Sequence, residues 1–396
     1  MFEFIEVAPP DPILGLNEAF LKDPRQEKIN LGVGVFVDDA GNTPVLDCVK
    51  AAEEMIVQRE RTKSYLPIGG SAAYDARVQQ LLLGEEGAAQ LEGRVATLQT
   101  PGGTGALRVA ADFIRQRFPR ATVWCSQPTW ANHPQIFQAA GLGVEAYPYL
   151  DASQRGLDFD AMLDRLRQLP AGDVVLLHGC CHNPTGVDPT PEQWQAIAEC
   201  LAEHQLLPLV DFAYQGFGKG LREDSVGLAT LVKSLPEILV CSSFSKNFGL
   251  YRERVGALTV LAGTPAVTQA VVSQLKTCVR TNYSNPPAHG AQVVETILGD
   301  ETMRRSWETE LAFMRDRISH MRTSFVETMR KHAPHHDFSF LLPQLGMFSF
   351  SGLKPEQVDR LRDEHGIYMV RTGRINVAGI TSKNIDPLCR AVASVL

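Results

Sequence analysis

The stretch SSFSKNFGLYRERVG, residues 242–256, sets a lysine, Lys246, just beyond the apolar run ILVC and among three serines, with arginines at 252 and 254. A loop lysine is ordinarily solvated, so its neighbours decide whether it does more. Beside cationic groups and partly withdrawn from water, a lysine has a lowered pKa, and its amine can condense with an aldehyde. Arg254, Ser243 and Ser245 supply donors of the kind a phosphate needs, the guanidinium as a two-pronged fork.

A second anion signal is TPGGTGA, residues 100–106, which stands between a strand pattern and a helical one and carries Gly103 and Thr104. Backbone N–H groups at a helix start favour an anion, although a tight packing turn has the same composition. The loop has no GK[ST], and Arg108 stands where GxGxxG requires its last glycine. A phosphate without a nucleotide fingerprint suggests a phosphorylated cofactor of another kind. Pyridoxal phosphate carries an aldehyde, a phosphate and a ring nitrogen that needs an acid partner. Asp211, which ends the apolar run LLPLV, is placed to be that partner or a simple turn residue. Tyr214 and Asn183 offer a hydroxyl and an amide to the ring oxygen, and Trp130 either stacks on the ring or fills the core.

These residues follow a series of apolar runs. VATLQT (95–100), TVWCSQP (122–128), DVVLLHGC (173–180), LLPLVDFA (206–213) and EILVCSSFS (237–245) read as strands, with helical patterns over 105–118 and 190–205 between them. The first strand, helix and second strand read as a βαβ unit. Near-continuous apolar strands imply a mostly parallel sheet covered on both faces by helices, and such sheets bind ligands at their carboxyl ends. From about residue 300 a long helical pattern (303–332), a hairpin-like piece (338–353), a helix, and a short closing strand and helix predict a smaller α/β domain that the N-terminal segment joins.

With 396 residues, about two domains are expected. The net charge of −7 and the lack of a basic stripe argue against nucleic acid. The beginning, MFEFIEVAPPDPILGL, has neither a basic region nor a long apolar core, and no run of about 18 apolar residues occurs, so a cytoplasmic, non-membrane protein is expected. The eight cysteines lack CxxC spacing. HGCCH (178–182) holds four soft ligands, but strand alternation would split them between faces, and no metal is expected. KHAPHH (331–336) reads as a solvated loop.

NPTG, DFAYQGFG, SSFSKNFGLYRERVG, NYSNPPAHG and GRINVAG, in this order across nearly the whole chain, together with DPILGL and QTPGGTGALRVAADF, make the sequence resemble the class I pyridoxal-phosphate aminotransferases of the aspartate and aromatic amino-acid subfamily. The resemblance implies fold type I. A large domain with a mostly parallel sheet (45–313) would stand beside a small α/β domain (314–396) that takes in an N-terminal arm (1–44), in a homodimer with shared active sites. It implies that Lys246 carries the cofactor, that Asp211 pairs with the ring nitrogen, that Tyr214 and Asn183 face the ring oxygen and that Trp130 stacks. Gly103, Thr104, Ser243, Ser245 and Arg254 would hold phosphate with the partner's Tyr65, while His133 and His178 stand behind the ring. Arg374, with Gly34 and Asn183, would grip the α-carboxylate of amino-acid and 2-oxo-acid substrates, and Arg280 would reach the distal carboxylate from the partner. Positions 35, 37, 43, 64, 104 and 285 would tune aspartate against aromatic preference. Val35, Thr43, Thr104 and Asn285 match the aspartate pattern, whereas Val37 and Ser64 replace a lysine and an asparagine and should admit an apolar side chain. An enzyme mainly for tyrosine and phenylalanine is the alternative, and a β-lyase a more distant one.

Overall fold

The computed structural model describes residues 1–7, 13–151, 153 and 155–396; Asp11 and Pro12 of the DPILGL motif lie outside them. The apolar runs form one seven-stranded sheet: β1 (Val95–Pro101), β2 (Thr122–Gln127), β3 (Gly143–Pro148), β4 (Val174–His178), β5 (Leu207–Phe212), β6 (Ile238–Ser243) and β7 (Val255–Leu261). Every residue of β4, β6 and β7 is buried, as expected of strands covered on both faces. The order across the sheet is β1-β7-β6-β5-β4-β2-β3. β7 runs antiparallel to both β1 and β6, and the remaining pairs are parallel.

One strand expectation is corrected and one is extended. β1, the helix α1 (Gly102–Arg117) and β2 form a strand–helix–strand unit whose connection crosses the sheet, with four strands between β1 and β2. β7, which the strand reading stopped short of, fills the place beside β1. The segment 338–353 is not a hairpin. Its strand Phe348–Phe350 pairs antiparallel with Arg374–Asn376, while Ser339–Leu341 forms a short 3-10 turn beneath which Phe338 packs edge-on to Phe325. Gly346, at φ +79°, redirects the chain before the strand.

The chain ends meet. Ile29–Asn30 pairs in parallel with Ile367–Tyr368, and the Asn376 N–H donates to the Leu31 carbonyl at 2.8 Å. The helix α2 (Glu301–His332), started by Asp300 accepting from the Met303 N–H, runs unbroken through position 313/314. Among the described residues, no helix is long and apolar enough to cross a membrane.

Candidate active site

At the carboxyl ends of β4, β5 and β6 lies a cavity of about 550 Å³. Three kinds of local structure deliver its residues.

The first is the turn after β6 that carries Lys246. Its shape is fixed from below: Phe248 stacks on the fully buried Trp307 at 4.4 Å, and the Trp307 indole N–H donates to the Asn247 carbonyl at 2.7 Å. The Asn247 amide donates to the Gln215 carbonyl. The Lys246 amine sits 5.0 Å above the Tyr214 ring. Burial, reinforced by Arg254 and Arg374 and opposed by Asp211, brings its pKa down to about 8. An amine at that value is partly free base near neutral pH.

The second is the start of α1. Gly102, at φ +75°, lets the chain turn from β1 into the helix, and a side chain there would run into the Arg254 guanidinium. A Cβ on Gly103 would stand 3.0 Å from Ser243 Cβ, so a bare backbone lines this end of the cavity. Arg254 itself has a left-handed φ of +55° and donates to Ser245 Oγ at 3.2 Å and to the Tyr251 carbonyl at 3.0 Å. Backbone amides at a helix start, two hydroxyls and a guanidinium thus line one end of the cavity, a donor set suited to a phosphate-sized anion.

The third comprises the ends of β4 and β5. Asp211 accepts from His133 Nε2 at 2.9 Å. His133 Nδ1 is 2.8 Å from Thr129 Oγ1, which is 3.1 Å from His178 Nε2, and His178 Nδ1 accepts the Asn183 backbone N–H at 3.3 Å. Since that backbone N–H can only donate, the protons of the whole row are assigned: His178 Nε2–H donates to Thr129, the Thr129 hydroxyl donates to His133 Nδ1, and His133 Nε2–H donates to Asp211. Burial, with the neighbouring His133, pushes His178 down to about 3, which keeps that ring neutral. Burial also resists ionisation of Asp211, but the His133 hydrogen bond and surrounding charges outweigh it and hold the carboxyl below its ordinary value. Thr129 was missed in the sequence because a hydroxyl between two imidazoles has no spacing signature.

The opposite wall comes from the chain ends. Arg374 is buried, donates to Asn183 Oδ1 at 3.3 Å and to the Gly32 carbonyl at 2.5 Å, and lies 4.2 Å over the Phe348 ring. Its Nε has no partner among the described residues. Burial lowers its pKa to about 10, so it stays charged at neutral pH. Among the described residues no carboxylate is bonded to this buried guanidinium, which on the wall of a cavity is suited to receive one. Gly34, Val35, Trp130, Asn183 and Tyr214 complete the lining, and Asn183 Nδ2 donates to the Tyr214 hydroxyl at 3.4 Å.

Two residues that the resemblance assigns to the partner's site lie outside this chain's cavity: Tyr65 is 93% exposed, and Arg280 is exposed and, among the described residues, bonds to nearby Ser284. Ser64 is exposed and Asn285 donates to the Leu66 carbonyl. The HGCCH alternation ends at Cys181, whose φ of +50° brings both thiols near Asp224, all three ligand atoms within 4.8 Å of one another and buried. Asp224 is already taken by the N–H groups of Gly216, Gly218 and Lys219, and burial holds the Cys180 thiol protonated.

Residues 26–392 match the family model "Aminotransferase class I and II". The chain is 53% identical over its full length, and over the full length of the relative, to the aspartate aminotransferase of Escherichia coli K12. It is 49% identical, covering 100% of this chain and 99% of the other, to the aromatic-amino-acid aminotransferase of Pseudomonas aeruginosa. The crystal structure of the aromatic-amino-acid aminotransferase from Burkholderia pseudomallei, covalently bound to pyridoxal phosphate, superposes with a TM-score of 0.97 at 48% identity, covering 100% of this chain and 99% of that one. An amine of depressed pKa, an anion cradle and a buried guanidinium around one cavity, in a chain matched from end to end, make this protein a member of the class I and II aminotransferases.

Proposed function

We propose that the protein is a pyridoxal-phosphate transaminase that exchanges the amino group of L-aspartate, and of aromatic amino acids, with 2-oxoglutarate. The observation that carries this reading is the cavity wall on which Lys246, Asp211 and the Arg254 cradle face Arg374 with its unpartnered Nε. The donor set fits the cofactor: glycines at 102 and 103 leave room for a phosphate, and Asp211, held ionised, matches a protonated ring nitrogen.

Bound there, pyridoxal phosphate supplies a carbonyl that exchanges amine partners and a ring that draws electrons from the substrate Cα. The chain's own residues do the rest. Lys246 holds the cofactor and, once displaced, is the base that moves the α-proton. Asp211, kept in place by the row from His133 through Thr129 and His178, retains the ring proton. Tyr214 and Asn183 would serve the ring oxygen, Trp130 would stack on the ring, and Gly103, Thr104, Ser243, Ser245 and Arg254 would hold the phosphate. Arg374, Asn183 and Gly34 orient the α-carboxylate. Donor and acceptor use the site in alternation, so the kinetics are ping-pong.

Val37, half-buried and two residues from the cavity-lining Val35, favours a second emphasis, in which aromatic substrates are the main ones. Titration of the cofactor-loaded protein with L-aspartate and with L-phenylalanine, followed by its visible absorption, decides. Loss of the band with both at similar concentrations supports broad specificity, loss with phenylalanine alone supports the second emphasis, and loss with neither overturns both.

The proposal extends to a cytoplasmic homodimer in which Tyr65 and Arg280 serve the partner's site, and to the division 1–44, 45–313 and 314–396. The exposure of both side chains supports the dimer. Mixing inactive Lys246→Ala and Arg280→Ala proteins tests it: activity regained through shared sites is expected, and a monomeric mass by light scattering would overturn it.

A further inference from the structure

We infer that Tyr251 is a positioning residue that ties the anion cradle to the loop covering the substrate side of the cavity; the inference rests on the function proposed above. The loop 32–37 crosses the cavity, and its Val33, Gly34 and Val35 line it. Its backbone is strapped from one side by the closing strand and the turn after it. Arg374 donates to the Gly32 carbonyl, the Asn376 amide donates to the carbonyls of Val33 and Val35, both at 2.8 Å, and the Val37 N–H donates to the Ala378 carbonyl at 3.1 Å.

From the other side comes Tyr251, whose hydroxyl accepts the Phe36 N–H at 2.9 Å. Tyr251 stands three residues before Arg254 in the turn between β6 and β7, and its carbonyl accepts from the Arg254 guanidinium at 3.0 Å. One residue therefore touches the cation that holds phosphate through its backbone and the substrate loop through its side chain. The contact joins positions 215 residues apart in the chain. Burial raises the Tyr251 phenol to about 12, so the hydroxyl is neutral and keeps its acceptor role throughout the working pH range. An anion that fixes Arg254 restrains the Tyr251 carbonyl, and with it the ring and hydroxyl that hold Phe36. Gly34 and Val35, next in the chain, then stand at a fixed distance from Arg374.

Tyr251→Phe keeps the ring and removes the acceptor. Loss of one hydrogen bond predicts KM for amino acids and 2-oxo acids rising about three- to tenfold, with a smaller change in kcat and an unchanged cofactor absorption spectrum. Hydrogen exchange of the cofactor-loaded protein gives a readout that needs no turnover. In the wild type, loading with pyridoxal phosphate slows exchange across 32–37, and in Tyr251→Phe that protection is lost while the exchange of β6 and β7 stays the same. Equal protection of 32–37 in both proteins, or a fall in kcat with KM unmoved, overturns the inference. A wild type that binds cofactor but transaminates no amino acid overturns the proposed function instead, and the exchange comparison still decides the role of Tyr251.

Discussion

The two walls of the cavity are supplied by the chain in different ways. On the cofactor-facing wall, Asp211 and Ser243 stand at the carboxyl ends of strands, Tyr214, Ser245 and Lys246 just beyond them, Gly103 and Thr104 at the helix start after β1, and Arg254 immediately before β7. All belong to one sheet and its connections. On the substrate-facing wall, the loop at 32–37 and the strand at 374–376 come from opposite chain ends and hold each other through side-chain-to-backbone bonds spanning about 340 residues. The first wall rests on strands of one sheet, whereas the second, although Leu31, Phe36 and Ile375 are also buried in the core, is tied together by polar contacts between distant segments. Proton transfer, which every substrate shares, belongs on the wall that the sheet holds rigid, and on the other wall the loop beside Arg374 is where side-chain preference can be adjusted.

The largest effect is expected on the rigid wall. Lys246→Ala removes both the attachment point and the base, and turnover should fall by at least about a thousandfold while the protein still binds pyridoxal phosphate, as equilibrium dialysis would measure. Ordinary turnover in that variant would break the comparison. The same lysine carries a pH signature. In the cofactor-free protein its reaction with a simple aldehyde should rise through about pH 8. Because the unfolded chain binds its proton up to about pH 10, the cofactor-free fold gains stability as pH rises through that window. A melting temperature that falls there would contradict the assigned environment.

On the adjustable wall, Arg374→Lys keeps the charge but loses the planar fork, and KM should rise about ten- to a hundredfold for every amino acid. A loss confined to dicarboxylic substrates would place the α-carboxylate elsewhere. Smaller again is Thr129→Val, which cuts the row behind Asp211. A fall in kcat of about tenfold with little change in KM is expected, and steady-state kinetics with saturating cofactor measure it. The smallest change is Val37→Lys. It should move the ratio of kcat/KM for aspartate over phenylalanine upward by a few-fold, because an unpaired ammonium beside an apolar ring is unfavourable; an unmoved ratio would make Val37 incidental.

The same contrast explains what could be read without coordinates. Lys246, Asp211 and the glycine loop were legible because each follows an apolar run, and strand ends are where a parallel sheet presents its ligand groups. The physical argument also reached Arg254, since a guanidinium beside serines has an anion as its natural partner. Arg374 was legible only through the GRINVAG resemblance, as nothing local marks an arginine in a three-residue strand. Thr129, Asn376 and Tyr251 escaped altogether. Their roles arise from contacts between distant segments, and hydroxyls and amides fit many surroundings. What local patterns left open has the same origin: they identified β1, β2, β4, β5 and β6 but not their order across the sheet nor β7, and Phe348–Phe350 found its partner beyond the helix that follows it, not in the residues just before it.

Arg374 lies 22 residues from the end of the chain, whereas the last group of the anion cradle is Arg254. At about 5–20 residues per second, the 120 or so residues between them take ~6–24 s to translate. During that interval the chain gains β7 and then Trp307, on which the Lys246 turn rests, and only afterwards the guanidinium of the facing wall, so every residue of the cofactor wall is synthesised before the substrate wall has its arginine.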